Sequence, residues 1–327
     1  MTTAGRPRVL LMHPILDPGP SILAEAAEVV AYPPDRPLDE ASIRQAAEGC
    51  VGIVSQLMDP IRDMVLSTPG LKCVSNVAVG FDNIDVPAAT ARKVMITNTP
   101  GVLDDATADF AFTLLMAAAR RVAEADNFTR SGRFRGWAID MMLGQDVFGA
   151  TLGIVGIGRI GRGVAHRAKG FNMRVLYYDP QPLPPEAEEQ LGATRVDLNR
   201  LIAESDFISV HVPLTQETLH LISTAQFNAM KRNAILVNTS RGPVVDEAAL
   251  VEALNARKLA GAGLDVYERE PAVHPGLLAM PNVVLAPHIA SATVRTRSEM
   301  SAMAARNMAT AVRGGRPPNL VNPEVKK

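Results

Sequence analysis

The chain has 327 residues, 47% of them hydrophobic, which exceeds one ordinary core and suffices for two, so two domains are expected. Lys plus Arg is 33 against 34 for Asp plus Glu, a net charge of -1 with no long basic run, which argues against nucleic acid and anionic membranes as partners. The longest nearly unbroken apolar run, Phe110 to Ala119, is about half of what spans a bilayer, and no charged-then-apolar leader opens the chain, so a soluble, cytoplasmic protein is expected.

The first hundred residues alternate strand-like and helix-like segments, the pattern of a parallel sheet covered by helices. Strands are expected at Arg8 to His13, Cys50 to Ser55, Leu71 to Val77 and Val94 to Asn98, with helices at Ser21 to Glu28, Asp39 to Glu48 and Pro87 to Arg92. Asp59-Pro60 reads as a capped helix start, and Thr99-Pro100-Gly101 as a hinge. Cys50 and Cys73 lie in apolar runs without a partner motif and read as structural thiols in a reducing compartment. Asp104 and Asp105 cap a helix to Arg121 that is apolar nearly all round, so it is expected to be buried between domains or between subunits. Between Arg130 and Phe148 lies a loop with three arginines and the only tryptophan, Trp137.

The stretch Thr151 to Pro180, TLGIVGIGRIGRGVAHRAKGFNMRVLYYDP, reads as strand, glycine turn, helix and strand. In that setting Gly156 permits the tight turn, Gly158 lets the backbone approach a pyrophosphate, and Gly161 allows the helix to pack on the strand. The phosphates would face the free N–H groups and positive end of a helix opening near Arg159. Asp179 closes the second strand, where a carboxylate can hold both hydroxyls of an adenosine ribose. It repels a 2′-phosphate, and no Lys or Arg follows in PQPLPPEAEEQ, so NAD(H) is expected to be preferred over NADP(H).

Beyond it, strands are expected at Asp206 to Val212, Ala234 to Asn238, Ala260 to Val266 and Asn282 to Pro287, and helices at Ser223 to Met230, Asp246 to Arg257 and Ser291 to Arg313. The last helix is expected to return to the first domain. Ligands of an open parallel sheet bind beyond the C-terminal ends of its strands, where Arg241, Asp265, Glu270 and His288 fall. A nicotinamide reaction on a carbonyl acid needs a cation for the substrate, a proton donor active near neutral pH, and a group that orients that donor. Arg241 suits the first by its planar fork, His288 the second, and Glu270 the third, since a carboxylate bonded to an imidazole stabilises the imidazolium and fixes the ring. His166 and His220 read as surface residues, and no spacing suggests a metal site.

The stretches NVAVGFDNID, NTPGVLDDATADFAF, LGIVGIGRIG, HVPL, ILVNTSRGPVVDEAAL, GAGLDVYEREP and PHIASAT, in that order and over nearly the whole chain, resemble the D-isomer-specific 2-hydroxyacid dehydrogenases. TPGVLDDATAD, Trp137 and the terminal PPNLVNPEV resemble the glyoxylate/hydroxypyruvate reductases in particular. The resemblance implies two doubly wound α/β parallel-sheet domains, a discontinuous flavodoxin-like substrate domain of residues 1–101 and 291–327 and a Rossmann NAD-binding domain of residues 102–290, with a cleft between them, in a homodimer. It assigns substrate binding and carbonyl polarisation to Arg241, acid/base chemistry to His288 and its tuning to Glu270. It implies that the backbone of Ala78, Val79 and Gly80 grips the substrate carboxylate, that Leu57 and Ser291 touch the substrate, and that Trp137 enters the substrate pocket of the partner subunit. Asp265 would meet the nicotinamide carboxamide, and Thr107, Arg159, Ile160, His211, Val212, Pro213, Thr218, Asn238, Thr239 and Ser240 would line the cofactor. Ala290 stands where glycine is common in the family, which narrows the expected pocket.

The implied activity is reduction of glyoxylate or hydroxypyruvate to glycolate or D-glycerate. Alternatives within the class are reductases of 2-ketogluconate, phosphoglycerate-type dehydrogenases, and phosphite dehydrogenase, which the Arg133 to Trp137 region resembles. From another class, corepressors of the C-terminal-binding-protein type share this fold and sense the dinucleotide without turnover.

Overall fold

The computed structural model describes residues 5–325. The chain forms two compact units, Met1–Leu103 with Ala292–Lys327, and Asp104–Ser291.

The first unit alternates β1 (Arg8–Leu11), α1 (Gly19–Ala26), β2 (Glu28–Ala31), α2 (Glu40–Ala46), β3 (Gly52–Ser55), α3 (Asp63–Leu66), β4 (Cys73–Asn76), α4 (Val86–Ala91) and β5 (Met95–Thr97), and adds the terminal helix Val294–Val312. Its strands are all parallel, in the order β2-β1-β3-β4-β5, the flavodoxin-like order. Successive side chains of a strand point to opposite faces. Leu10, Ile53 and Val74 therefore enter one core with Ile43 and Val65, while Val9, Val54 and Cys73 meet Leu23 and Met308 on the other face. Burial on both faces is why these strands read as continuous apolar runs. Beyond the terminal helix the chain returns to the sheet edge. The buried Asn322 side chain accepts the Ile96 N–H at 2.8 Å and donates to Val94 O at 2.9 Å.

The second unit holds α5 (Asp104–Ala119), α6 (Val122–Arg130), β6 (Thr151–Val155), α7 (Arg159–Lys169), β7 (Arg174–Tyr178), α8 (Pro185–Leu191), β8 (Ala193–Arg195), α9 (Leu198–Glu204), β9 (Phe207–Val210), α10 (Thr224–Ala229), β10 (Ile235–Asn238), α11 (Glu247–Asn255), β11 (Gly261–Leu264), α12 (Pro275–Leu278) and β12 (Val283–Leu285). Its parallel sheet runs β12-β11-β10-β9-β6-β7-β8, a Rossmann order whose reversal lies between β6 and β9. The α/β fold with two parallel sheets is as expected from the sequence.

Three local readings are corrected, and the burial expected of α5 is traced in part to its own unit. Glu28 does not end a helix: its N–H bonds Pro7 O at 2.8 Å, and it opens β2, an edge strand paired to β1. Asp59 caps no helix, because its buried carboxylate is taken by Gln56 N–H at 2.7 Å and by His13 at 2.8 Å, and α3 starts only at Asp63. The apolar helix α5 is covered by α7, β10 and β11 of its own unit. Small residues allow this close approach, since a Cβ on Gly163 would lie 2.9 Å from Ala108 Cβ and one on Gly263 2.9 Å from Leu114 Cβ. Finally, Val122–Arg130 and Ala193–Arg195, to which the sequence reading assigns no element, form α6 and β8.

Because Asn322 satisfies backbone groups of Ile96 in β5 and of Val94 just before it from within the core, Asn322→Ala should destabilise the protein by about 1–3 kcal/mol. Urea unfolding measures this, and a loss below about 0.5 kcal/mol would show that the tail contributes little to the first unit.

Candidate active site

In the second unit β6 delivers the chain to the glycine turn. Gly156 has φ +94, and a Cβ there would lie 2.8 Å from the His211 carbonyl carbon, so a side chain is excluded by both conformation and space. A Cβ on Gly161 would overlap the Gly156 carbonyl oxygen, which shows how closely α7 abuts the turn. At Gly158, the residue preceding α7, nothing lies within 4 Å of that position, leaving room at the helix N-terminus for a phosphate. Asp179 faces the same turn: its Oδ2 accepts the Ile157 N–H at 3.0 Å and its Oδ1 the Gln181 N–H at 2.9 Å. Arg159 is exposed and Ile160 half-buried at the start of α7.

The next strand ends carry the remaining dinucleotide candidates. The His211 N–H bonds Val155 O at 2.7 Å and its ring shares a 2.7 Å hydrogen bond with Ser209, while burial pushes its pKa down to about 3, so the ring is neutral at physiological pH. Val212 is buried, and the Thr218 hydroxyl donates to Pro213 O at 2.6 Å, closing that loop on itself. Thr107 is buried on α5. Asn238 shapes the turn after β10 by donating to Arg241 O at 2.9 Å and accepting the Ser240 N–H at 3.0 Å. The buried Thr239 hydroxyl has no hydrogen-bond partner among the described residues. An open glycine cradle, a fixed carboxylate and an orphaned buried hydroxyl along one sheet edge fit a dinucleotide.

Arg241 follows β10, half-buried, with Nη1 donating to Ser240 O at 2.8 Å. The residue after it must be glycine, because a Cβ on Gly242 would overlap the Tyr267 carbonyl. Tyr267 in turn donates its N–H to Glu270 Oε1 at 3.0 Å, and Glu270 Oε2 meets His288 Nδ1 at 2.8 Å. The Glu270 and His288 side chains are 17% and 25% exposed, so the pair is shielded while remaining open to a ligand. Burial pushes the Tyr267 phenol up to about 12, keeping it a donor to Ala286 O at 2.9 Å.

Asp265, at the end of β11, is fully buried. Its carboxylate oxygens accept the N–H groups of Ile289 and Ala290, both at 2.8 Å, and its carbonyl accepts the His288 N–H at 2.8 Å. His288 itself adopts φ +55, a conformation unusual for a non-glycine residue, and these three bonds hold it there. Burial raises the Asp265 carboxyl above its ordinary range, and the two donated N–H groups oppose the rise. Asp265, Glu270 and His288 thus form one connected group, joined to the Arg241 turn by the 3.0 Å bond from Asp265 N–H to Asn238 O.

In the first unit the loop after β4 is tied from behind. The carbonyls of Ala78, Val79 and Gly80 accept Thr99 N–H at 2.9 Å, Asn98 Nδ2 at 2.8 Å and Asn76 Nδ2 at 2.9 Å. In a trans peptide N–H points opposite to C=O, so these bonds aim the following N–H groups away from the sheet. Those of Val79 and Gly80 have no acceptor among the described residues, an arrangement suited to an anion. Leu57 is half-buried after β3, in a turn where Asn83 Nδ2 donates to Gln56 O at 3.0 Å.

A family model described as "D-isomer specific 2-hydroxyacid dehydrogenase, NAD binding domain" matches residues 112–290. A glyoxylate reductase of Korarchaeum cryptofilum is 52% identical over 98% of both chains. Among solved structures, the TT0316 protein of Thermus thermophilus is similar with TM-score 0.88 at 42% identity, covering 96% of this chain and 99% of that one. An NADPH-dependent glyoxylate/hydroxypyruvate reductase of Sinorhizobium meliloti is similar with TM-score 0.86 at 34% identity, covering 97% of each. The chain belongs to the D-isomer specific 2-hydroxyacid dehydrogenase family.

Membership of this family gives an NAD(P)-binding domain to the second unit. Ser291 is half-buried at that unit's end, and Ala290 is buried with its N–H spent on Asp265. Trp137 is 77% exposed, in a segment that also exposes Phe134, Ile139, Leu143 and Phe148. Among the described residues no three His, Cys, Asp or Glu side chains gather as metal ligands, and no helix is long and apolar enough to cross a membrane. The carboxamides of Asn76 and Asn98 and the loop-bracing bonds of Asp265 went unread in the sequence. Their only signal was polarity at or beside the ends of apolar strands.

Asp265→Asn would place an NH2 donor against the Ile289 or Ala290 N–H. A stability loss of about 1–3 kcal/mol is expected in urea unfolding. An unchanged midpoint and slope would mean that the His288 loop is held by other contacts.

Proposed function

We propose that this dehydrogenase reduces a small 2-oxo acid, glyoxylate or hydroxypyruvate, to the D-2-hydroxy acid, with NADH preferred over NADPH. The 2.8 Å pairing of Glu270 with His288 carries the reading, because it supplies an oriented proton donor at the sheet edge where the dinucleotide fits. The full-length likeness to glyoxylate reductases supports the substrate class. Substrate binding is assigned to residues 1–101 and 291–327 and dinucleotide binding to residues 102–290.

The nicotinamide supplies hydride when bound. With Nδ1 of His288 engaged by Glu270, Nε2 is the nitrogen that delivers the proton to the carbonyl oxygen. Arg241 binds the carboxylate and polarises the carbonyl by its fixed charge. On the first unit, the backbone of Ala78, Val79 and Gly80 is assigned to the carboxylate and Leu57 to a substrate contact. On the second, Ser291 touches the substrate, Asp265 and Thr239 serve the nicotinamide end, and Asp179 binds the ribose. His288→Ala should lower kcat by about 10²–10⁴-fold with little change in the Kd for NADH, and Glu270→Gln should lower it less. A His288→Ala enzyme that keeps wild-type kcat with hydroxypyruvate would overturn the assignment, and wild-type protein that binds NADH without turnover would favour a dinucleotide sensor.

The exposed apolar segment around Trp137, following a helix with no buried residue, supports a twofold dimer in which Trp137 shapes the partner's substrate pocket. Mixing Trp137→Ala and Arg241→Ala subunits then yields mixed dimers with one doubly mutated site and one intact site. Random pairing should restore about a quarter of wild-type activity. Activity no higher than the mean of the two mutant homodimers, with mixed dimers confirmed by mass, would place Trp137 in its own chain's site instead.

A further inference from the structure

We propose that Arg195 binds a 2′-phosphate beside Asp179, so that NADPH serves this enzyme as a second hydride donor; the inference rests on the dinucleotide reading of the glycine turn. The sequence after Asp179 offers no cation for eleven residues, PQPLPPEAEEQ, and α8 brings three glutamates, Glu186, Glu188 and Glu189. Strand pairing changes that picture. The edge strand β8 lies parallel to β7 with Arg195 opposite Tyr177, two residues before Asp179. Its side chain then turns onto the ribose loop: Nε lies 3.3 Å and Nη2 3.0 Å from Asp179 O, and Nη2 lies 3.1 Å from Pro180 O.

These are bonds to carbonyls, which leave the guanidinium charge uncompensated. The Asp179 carboxylate is held by the N–H groups of Ile157 and Gln181, and no carboxylate of the described residues pairs with Arg195. Arg195 is exposed, and its Nη1 has no partner among the described residues. The loop therefore presents an acceptor for ribose hydroxyls and, anchored to the same residue's backbone, a fixed positive charge whose Nη1 keeps its N–H donors for a phosphate. Glu188 is turned aside by its bond to the Tyr177 hydroxyl at 2.5 Å. Asp179 opposes a phosphate and Arg195 favours one, so their balance sets the ratio of the two cofactors.

The test measures Kd for NADH and NADPH, and kcat/KM for each with glyoxylate, in the full chain. Variants are Arg195→Gln, Arg195→Lys and Asp179→Ser. Arg195→Gln should weaken NADPH about tenfold while NADH stays within about twofold, and Arg195→Lys should recover part of the loss. Added salt should weaken NADPH in wild type and much less in Arg195→Gln. Asp179→Ser should move the ratio the opposite way. Equal losses for both cofactors would show Arg195 to be only a brace for the loop, and an unchanged ratio would also overturn the proposal. Wild type that binds NADH but not NADPH removes the Arg195 inference alone, whereas wild type that binds neither removes the dinucleotide reading beneath it.

Discussion

The buried carboxylate of Asp265 is the constraint on which the candidate active site depends. A charge withdrawn from water is tolerated only where donors replace the lost hydration, and here the amides of Ile289 and Ala290 do so at 2.8 Å each. The exchange works in both directions. The amides satisfy the carboxylate, and the carboxylate dictates the path of the chain that carries His288, including its positive φ. The imidazole thus reaches Glu270 from a backbone that could not hold this course alone.

A second layer of order comes from carboxylates used as backbone acceptors. Glu247, buried at the start of α11 with its pKa raised by that burial, accepts the Glu268 N–H at 2.8 Å, and Glu270 accepts the Tyr267 N–H at 3.0 Å. Two acids therefore shape one short loop, and Gly242 lets that loop lie flat against the Arg241 turn. The carbonyls of residues 78 to 80 are fixed by the complementary device, the amide groups of Asn76 and Asn98 with one backbone N–H. In both places side chains that need not touch a ligand decide where backbone donors and functional groups point.

Both sheets place their candidate residues beyond the C-terminal ends of parallel strands, where the chain must leave the sheet and backbone groups lose their ladder partners. That geometry explains why Asp179, Arg241, Asp265 and His288 all follow strands. It also brings together residues far apart in the chain, as with Arg195 and Asp179, whose proximity is a property of the β7–β8 pairing.

The sequence by itself determined the α/β class, the parallel strands and the glycine turn, because each rests on local signals: apolar runs, spaced glycines and capping residues. It also placed Arg241, Glu270 and His288 on one sheet edge, since strand ends can be located one strand at a time. Their connection was beyond it, because the bonds from Glu270 to His288 and from Asp265 to the following amides cross 18 to 25 residues and depend on strand order and loop path. The same limit hid β2 and β8, edge strands short enough that pairing with a neighbour, and not their own pattern, makes them strands. The place of α5 was likewise a tertiary outcome. Its all-round apolar surface required burial, and Gly163 and Gly263, brought against Ala108 and Leu114 by folding, let α7 and β11 approach it closely.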